Sequence, residues 1–174
     1  MLRANAGGLL SARRGGHLSI ELDGETILLR DQAPLHAGNI RFEAGWDLPR
    51  LIEHLNRRVF FWPGGEDGPI AYGRRHHERY AAEAPVVLRV RLRELLEANP
   101  GRVPLFCQRN SGSPRTVNGK KSPRGSDTFV TCENFPRGPR GVVEVTFEYE
   151  VVLPPDTEFR LRTDEGWAPL VPPA

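Results

Sequence analysis

A long basic loop is the first stretch of this sequence that could do chemistry. Between Gln108 and Ser126 the chain has no acidic residue and is rich in Ser and Gly. Amides and hydroxyls of such a loop can hold an anion, so phosphate binding is physically reasonable. A flexible solvated loop is the alternative, and the sequence does not decide between the two. The basic side chains of this loop are Arg109, Arg115, Lys120, Lys121 and Arg124.

A glutamate follows the loop, at the start of the most regular strand. From Val143 to Val151 apolar residues alternate with polar ones, which predicts a β-strand with one apolar face and one acidic face. Glu144 is the first acid of that face. Its carboxylate could stabilise an oxocarbenium-like transition state at an anomeric carbon, or hydrogen-bond the neighbouring sugar hydroxyl. It could equally be solvent-exposed, as we expect for Glu148 and Glu150.

Three hydrogen-bonding side chains, Arg30, Asp31 and Gln32, directly follow a predicted β-hairpin. Two alternating segments, residues 18–22 and 26–29, flank an Asp-Gly pair that favours a two-residue hairpin turn. Polar groups at a strand end can line a ligand site. The alternative is a surface Arg-Asp ion pair, which would contribute little.

An aromatic strand is predicted at the centre of the chain. Leu48, Leu51, Ile52 and Leu55 recur at helical spacing after Asp47, which predicts a capped helix over residues 47–56. The run Arg57-Arg58-Val59-Phe60-Phe61-Trp62 follows, and Pro63-Gly64-Gly65 ends it with a turn where backbone can approach a ligand closely.

The remaining pattern predicts one α+β domain over residues 1–174. We expect a loop at 33–46, a helix from about 67 to 82 with a solvated histidine pair, strands at 85–90, 103–107 and 128–131, a short helix at 92–96, an edge strand at 159–161 and a frayed Pro-rich tail at 163–174.

Composition excludes several function classes. The net charge is +2, so the chain as a whole is not a strongly basic nucleic-acid binder. No run approaches a membrane span, which predicts a cytoplasmic protein without a membrane partner. Cys107 and Cys132 are too few for a disulfide framework or a zinc site, so we expect two buried thiols and no metal. No nucleotide-binding loop or nucleophile elbow occurs.

An ordered set of motifs resembles a family of uncharacterised bacterial proteins. The Asn-Arg-Arg-Val-Phe-Phe-Trp run is the most specific of them, and the set covers most of the chain. More distantly, the layout is similar to ADP-ribosyltransferases of the DarT type, which use NAD to modify single-stranded DNA. The matching motifs are Gly8-Leu9-Leu10-Ser11, Leu29-Arg30-Asp31-Gln32, Asn56-Arg57-Arg58-Val59-Phe60-Phe61-Trp62, Asn110-Ser111-Gly112, Arg124-Gly125-Ser126-Asp127 and Val143-Glu144-Val145.

The resemblance implies a mixed, split β-sheet with a few short helices that cradles NAD as a substrate. Glu144 and Arg30 would be the catalytic residues. Single-stranded nucleic acid would approach the basic loop, where salt-dependent backbone contacts are expected. NAD would contact Asp31, Gln32, Arg58, Phe61, Trp62, Asn110 and Ser111, and the acceptor would contact Arg115, Lys120, Lys121, Arg124 and Asp127.

The N-terminus departs from the DarT pattern. In those proteins the Gly-Leu-Leu-Ser helix end follows a strand with a Tyr-His pair that holds the NAD ribose, whereas Met1 to Ala4 would already lie inside that helix. Residues 1–14 are therefore expected to be a truncated helix end, which puts catalysis in doubt. We expect an NAD-dependent ADP-ribosyltransferase-like protein, or else a non-catalytic nucleotide- or nucleic-acid-binding α+β domain. The acceptor, the oligomeric state and any antitoxin-like partner stay open.

Overall fold

The structure is a computed structural model that describes residues 7–161 and 166–170. Within these residues the chain forms four α-helices and twelve short strands. The helices are α1 (Gly7–Ser11), α2 (Leu48–Asn56), α3 (Ala71–Arg79) and α4 (Leu92–Glu97). The strands are β1 (Leu18–Leu22), β2 (Glu25–Leu29), β3 (Ile40–Phe42), β4 (Arg58–Phe61), β5 (Gly64–Gly65), β6 (Gly68–Pro69), β7 (Val87–Arg89), β8 (Leu105–Cys107), β9 (Ser122–Arg124), β10 (Glu144–Glu148), β11 (Glu158–Arg160) and β12 (Ala168–Pro169).

An antiparallel sheet in the order β4–β10–β8 lies at the centre of the fold. Val145 of β10 pairs with Phe61 on one side and with Phe106 on the other. Directly paired residues share a face, so these three side chains lie together. Glu144 pairs with Cys107 one step earlier and therefore lies on the opposite face.

Both faces of this sheet are covered by apolar clusters. One cluster packs Leu95 against Val145 and Phe147, with Phe61 and Phe106 partly buried beside them. The other joins the apolar stripe of α2 to the face that carries Cys107. Its buried members are Leu35, Ile40, Leu51, Ile52, Leu55, Cys107 and Phe129.

The polar face of β10 is not solvated as expected, because the apolar cluster around Cys107 covers it. Glu144 is only 3% exposed and Thr146 is fully buried. The strand stops after Glu148, because Tyr149 adopts a left-handed backbone with φ of 63°. Glu148 and Glu150 are exposed as expected, so the period-2 pattern placed the faces correctly but not their contact with water.

Local signals place α2 and the first hairpin correctly. The Asp47 carboxylate accepts a hydrogen bond from the backbone N–H of Arg50 at 2.9 Å, as an N-cap does. Asp23 and Gly24 both have positive φ, the geometry of a type I′ turn between β1 and β2.

Pairing between distant segments produces four differences from the predicted elements. The expected loop at 33–46 contains β3, which pairs in parallel with β9. The expected edge strand at 159–161 is β11, which lies between β7 and β12. The tail expected to be frayed supplies β12, while residues 162–165 and 171–174 lie outside the described part. Residues 128–131 give only an isolated bridge, from Val130 to Phe106.

The N-terminal expectation is only partly open to description. Gly7–Ser11 is helical despite its two glycines, and α1 packs against α2. Residues 1–6, on which the truncated-helix expectation depends, lie outside the described residues. No helix in the described residues is long and apolar enough to cross a membrane.

Replacing Phe147 by alanine is expected to lower the free energy of unfolding by about 3–5 kcal/mol, because this fully buried ring fills one core cluster. Urea denaturation measures the loss. Leu28→Ala is the control, since Leu28 is 56% exposed and its loss should be within about 0.5 kcal/mol. A loss below about 1 kcal/mol for Phe147→Ala would show that this cluster does not hold the sheet.

Candidate functional site

Glu144 lies at the start of β10, under the beginning of the basic loop. Its Oε1 accepts a hydrogen bond from the backbone N–H of Ser111 at 3.0 Å, and Ser111 is only 1% exposed. Its Oε2 is buried and has no hydrogen-bond partner among the described residues. Buried polar atoms are rarely left unpaired, so this oxygen is available to a ligand or to water.

Arg124 fixes the loop segment that holds Glu144. The guanidinium is 1% exposed, and its Nη2 donates to the carbonyl oxygen of Asn110 at 2.8 Å. Nε and Nη2 both donate to the carbonyl oxygen of Ser111 at 3.3 Å. Nη1 donates to the Ser122 hydroxyl and the Pro123 carbonyl oxygen, at 2.7 and 2.8 Å. These contacts occupy the donors of the guanidinium. Arg124 therefore holds the loop together from a buried position, and no donor is left for the acceptor contact that the resemblance implies.

The surroundings of Glu144 raise the pKa of its carboxyl group. Burial raises the pKa of Glu144 to about 7, against the lowering effect of the Ser111 hydrogen bonds and of Arg124. Burial also raises the pKa of Cys107, its cross-strand neighbour, to about 12, and the Glu144 charge contributes to that shift. A carboxyl with a pKa near 7 can give or take a proton at neutral pH.

The two aromatic residues assigned to NAD lie in different surroundings. Phe61 packs edge-on against Phe147, in the core on the face opposite Glu144. Trp62 directly follows β4. If the β4–β10 register continued by one more residue pair, Trp62 would lie across from Glu144. The Trp62 indole also contacts α3, where Tyr72 stacks on it with ring centroids 6.5 Å apart.

The residues after β2 diverge from one another. Arg30 donates to Glu83 at 2.9 Å and lies over the Tyr80 ring at 4.5 Å, so the expected Arg30–Asp31 surface pair does not form. The Asp31 carboxylate accepts from the backbone N–H of Ala33 at 2.8 Å. Across residues 7–161 and 166–170, no hydrogen bond, ion pair or ring contact joins Arg30 to Glu144.

Gln32 has a structural role in this arrangement. Its side chain donates to Asn56 at 3.1 Å and accepts from the backbone N–H of Arg14 at 3.3 Å. Arg14 in turn donates to the carbonyl oxygen of Arg30 at 2.9 Å. Gln32 therefore ties the segment after α1 to α2.

Arg58 is buried away from Glu144. Its guanidinium lies 4.5 Å from the centroid of the Phe129 ring, and its Nη2 is 3.3 Å from both Glu148 and His54. Burial, with the Arg58 charge adding to it, lowers the pKa of His54 to about 4, so this imidazole is neutral at physiological pH. Arg58 therefore supports the core and does not reach the start of β10.

The basic loop is folded. Val117 and Lys120 pair across a tight turn formed by Asn118 and Gly119, both with positive φ. Arg115, Lys120 and Lys121 are exposed, and the two lysines line a shallow depression together with Arg41.

Asp127, which was assigned to the acceptor, is also exposed. It follows Ser126, whose backbone N–H donates to Glu43 at 2.7 Å. A Cβ at Gly125 would lie 1.9 Å from the Glu43 carboxylate, so glycine is required where the loop closes on this side chain.

The sequence reasoning missed an aromatic row beside α3. Tyr72, Trp62, His76 and Tyr80 contact one another in this order, and the row ends at Arg30, which lies over the Tyr80 ring. The four-residue spacing of Tyr72, His76 and Tyr80 was the available signal, because such residues share a helix face. No group of three or more metal-binding side chains occurs among the residues described.

The chain belongs to DUF7002, a family of unknown function, which matches residues 2–156. The matched span includes Glu144, the basic loop and the aromatic row. No curated protein and no solved structure matches the chain. The family membership agrees with the expected relation to uncharacterised proteins and says nothing of an activity.

The stability of the protein should depend on the protonation of Glu144. Because its folded-state pKa of about 7 exceeds the ordinary 4.5, neutral Glu144 favours the folded state below about pH 4.5. This contribution is lost as the pH rises through 7, which amounts to roughly 3 kcal/mol. Glu144→Gln stays neutral, so urea unfolding from pH 4.5 to 8 should show the variant gaining roughly that much relative to wild type.

Glu150→Gln is the matched control, because the Glu150 side chain is 74% exposed and should not reproduce this pH dependence. A pH-independent difference between wild type and Glu144→Gln would mean that the carboxylate is hydrated in solution.

Thiol labelling should separate the two cysteines. Cys132 is exposed, contrary to the expectation of two buried thiols, whereas Cys107 is 1% exposed with a raised pKa. A thiol-specific chromogenic reagent should therefore modify Cys132 in the native protein and Cys107 only in urea, since the thiolate is the reactive form. Cys132→Ser should abolish native labelling. Rapid native labelling of Cys132→Ser would contradict the burial of Cys107.

Proposed function

We propose that this protein is an NAD-dependent ADP-ribosyltransferase-like enzyme in which Glu144 is the catalytic carboxylate. The observation that carries the proposal is the Glu144 side chain, which is buried at a strand start with one oxygen held and the other unpaired. Burying an acid in this state is costly, and such groups concentrate at functional sites. The resemblance of the motif order to DarT-type transferases supports the same residue.

In the proposed reaction, the ADP-ribosyl group of NAD is transferred to an acceptor, and the Glu144 carboxylate has two roles. The glycosidic bond between the ribose C1′ and the nicotinamide nitrogen breaks, and nicotinamide leaves as a neutral molecule. The acceptor forms a new bond to C1′ and releases its proton. Glu144 would stabilise the positive charge that develops at C1′ and take that proton, for which its pKa near 7 is suited.

The structure also narrows the residues that could contact NAD in this proposal. The backbone N–H of Ser111 donates to Glu144, Asn110 directly precedes Ser111, and Trp62 directly follows β4, which pairs with β10. Phe61, Arg58 and Gln32 are occupied in the core or in chain contacts, so they would support the fold instead. For the acceptor, we retain single-stranded nucleic acid near the exposed side chains of the basic loop.

A non-catalytic nucleotide- or nucleic-acid-binding domain is the second candidate. The observation that favours it is the position of Arg30, which engages Glu83 and Tyr80 and does not contact Glu144. Two residues expected to act together on NAD are thus held in separate surroundings. Such a protein would bind NAD or an oligonucleotide without transferring ADP-ribose.

Incubation with labelled NAD and single-stranded DNA, RNA or cell lysate tests the proposal. Wild type should transfer label at pH 7, and Glu144→Gln should lose about 100-fold or more of the rate, the usual effect of removing a transition-state charge contact. Glu148→Gln removes an exposed carboxylate of the same strand and should keep its activity.

Equal activity of the wild type and Glu144→Gln would remove Glu144 from the mechanism. Absence of transfer from every acceptor, with NAD binding retained in calorimetry, would select the non-catalytic candidate.

A further inference from the structure

The outer side of α3 is a positively charged surface without acidic partners. Its nine residues contain three arginines, Arg74, Arg75 and Arg79, against one glutamate. All three arginines are exposed. In the part of the chain that the structure describes, none of them has a carboxylate oxygen within 4.0 Å, although Arg74 donates to the carbonyl oxygen of Pro69. Arg75 and Arg79 are therefore available to an anion.

Aromatic rings are interleaved with this charge. We call Trp62, Tyr72, Arg75, His76 and Arg79 the α3 face. The rings of Tyr72 and Trp62 are stacked and nearly parallel, with an interplanar angle of 11° and centroids 6.5 Å apart. The His76 ring is 5.9 Å from Trp62. Glycine at position 73 permits this contact, since a Cβ there would lie 2.9 Å from the indole.

Tyr72, at the exposed end of the aromatic row, can exchange its contact with Arg75 for a contact with a ligand. Tyr72 is 40% exposed, and the Arg75 guanidinium lies 4.9 Å from its ring centroid. An arginine on an exposed tyrosine is held more weakly than a stacked nucleobase. A base could therefore take the tyrosine face while Arg75 turns to a neighbouring phosphate.

We propose that the α3 face binds single-stranded nucleic acid. Repeated negative charge satisfies Arg75 and Arg79, and unpaired bases supply planar groups that can stack on the exposed ring of Tyr72. A duplex offers the same phosphates but hides the faces of its bases.

The basic loop differs from the α3 face in this respect. Residues 109–128 include no aromatic side chain, so the loop has no ring on which an unpaired base could stack. The inference does not depend on the proposed transferase activity, because oligonucleotide binding is measured without NAD.

Fluorescence anisotropy with labelled single-stranded DNA and RNA of the same length, at several salt concentrations, tests this inference. Arg75→Gln with Arg79→Gln should weaken binding about 10-fold or more and reduce the slope of log affinity against log salt by about 1.4, since two phosphate contacts are lost. Tyr72→Leu should weaken binding by about 5- to 100-fold with little change in that slope. Binding of either oligonucleotide with these effects supports the inference.

Two matched controls separate the alternatives. Arg137→Gln with Arg140→Gln removes the same charge from two exposed arginines outside the basic loop and should change the affinity by less than about threefold, because neither arginine belongs to the α3 face. Tyr72→Phe keeps the ring and should keep the affinity. Circular dichroism and thermal midpoints confirm that each variant is folded.

Four results would each overturn the inference. They are absence of binding to both oligonucleotides, equal or tighter binding of a duplex of the same length, a larger loss from Arg137→Gln with Arg140→Gln than from Arg75→Gln with Arg79→Gln, and unchanged binding by Tyr72→Leu. Equally tight binding of a sulfated polysaccharide would also count against it, since a charged surface without base stacking would then explain the affinity.

Discussion

The hydrogen bond from the Ser111 backbone to Glu144 is the contact on which the rest of the site depends. Both apolar clusters need β10 at the centre of the sheet, and that position buries the carboxylate of Glu144. One backbone donor offsets only part of the desolvation cost, which is why the pKa rises. Arg124 holds the peptide that provides this donor, so the buried guanidinium serves the site by shaping the loop.

The same packing explains why the side chains of β4 do not all lie on the face of the sheet that carries Glu144. Side chains of β4 alternate between the two faces of the sheet, so Phe61 joins the Phe147 cluster while Arg58 faces Phe129. Trp62, just beyond the strand, packs against α3 instead. Aromatic content alone therefore does not locate a binding surface.

Local patterns in the sequence predict the elements better than their partners. The α2 helix follows from the Asp47 cap and its apolar spacing, and the first hairpin follows from Asp23-Gly24. The parallel pairing of β3 with β9 and the pairing of β12 with β11 join segments far apart in the chain or irregular in pattern. Periodicity in one segment carries no information on such partners.

The candidate site shows the same division between local and distant information. The alternating pattern predicts Glu144 as the first acid of β10, but alternation cannot show that a second layer buries it. Arg124 looked like one more basic loop residue, because its carbonyl partners at Asn110 and Ser111 depend on how the loop folds back.

Trp62 joins the central sheet to α3. It directly follows β4, and its indole stacks on Tyr72 of α3. Gly73 sets how closely the helix can approach this indole, since a Cβ at that position would lie 2.9 Å from it. The α3 face is therefore held against the end of β4 through this packed ring.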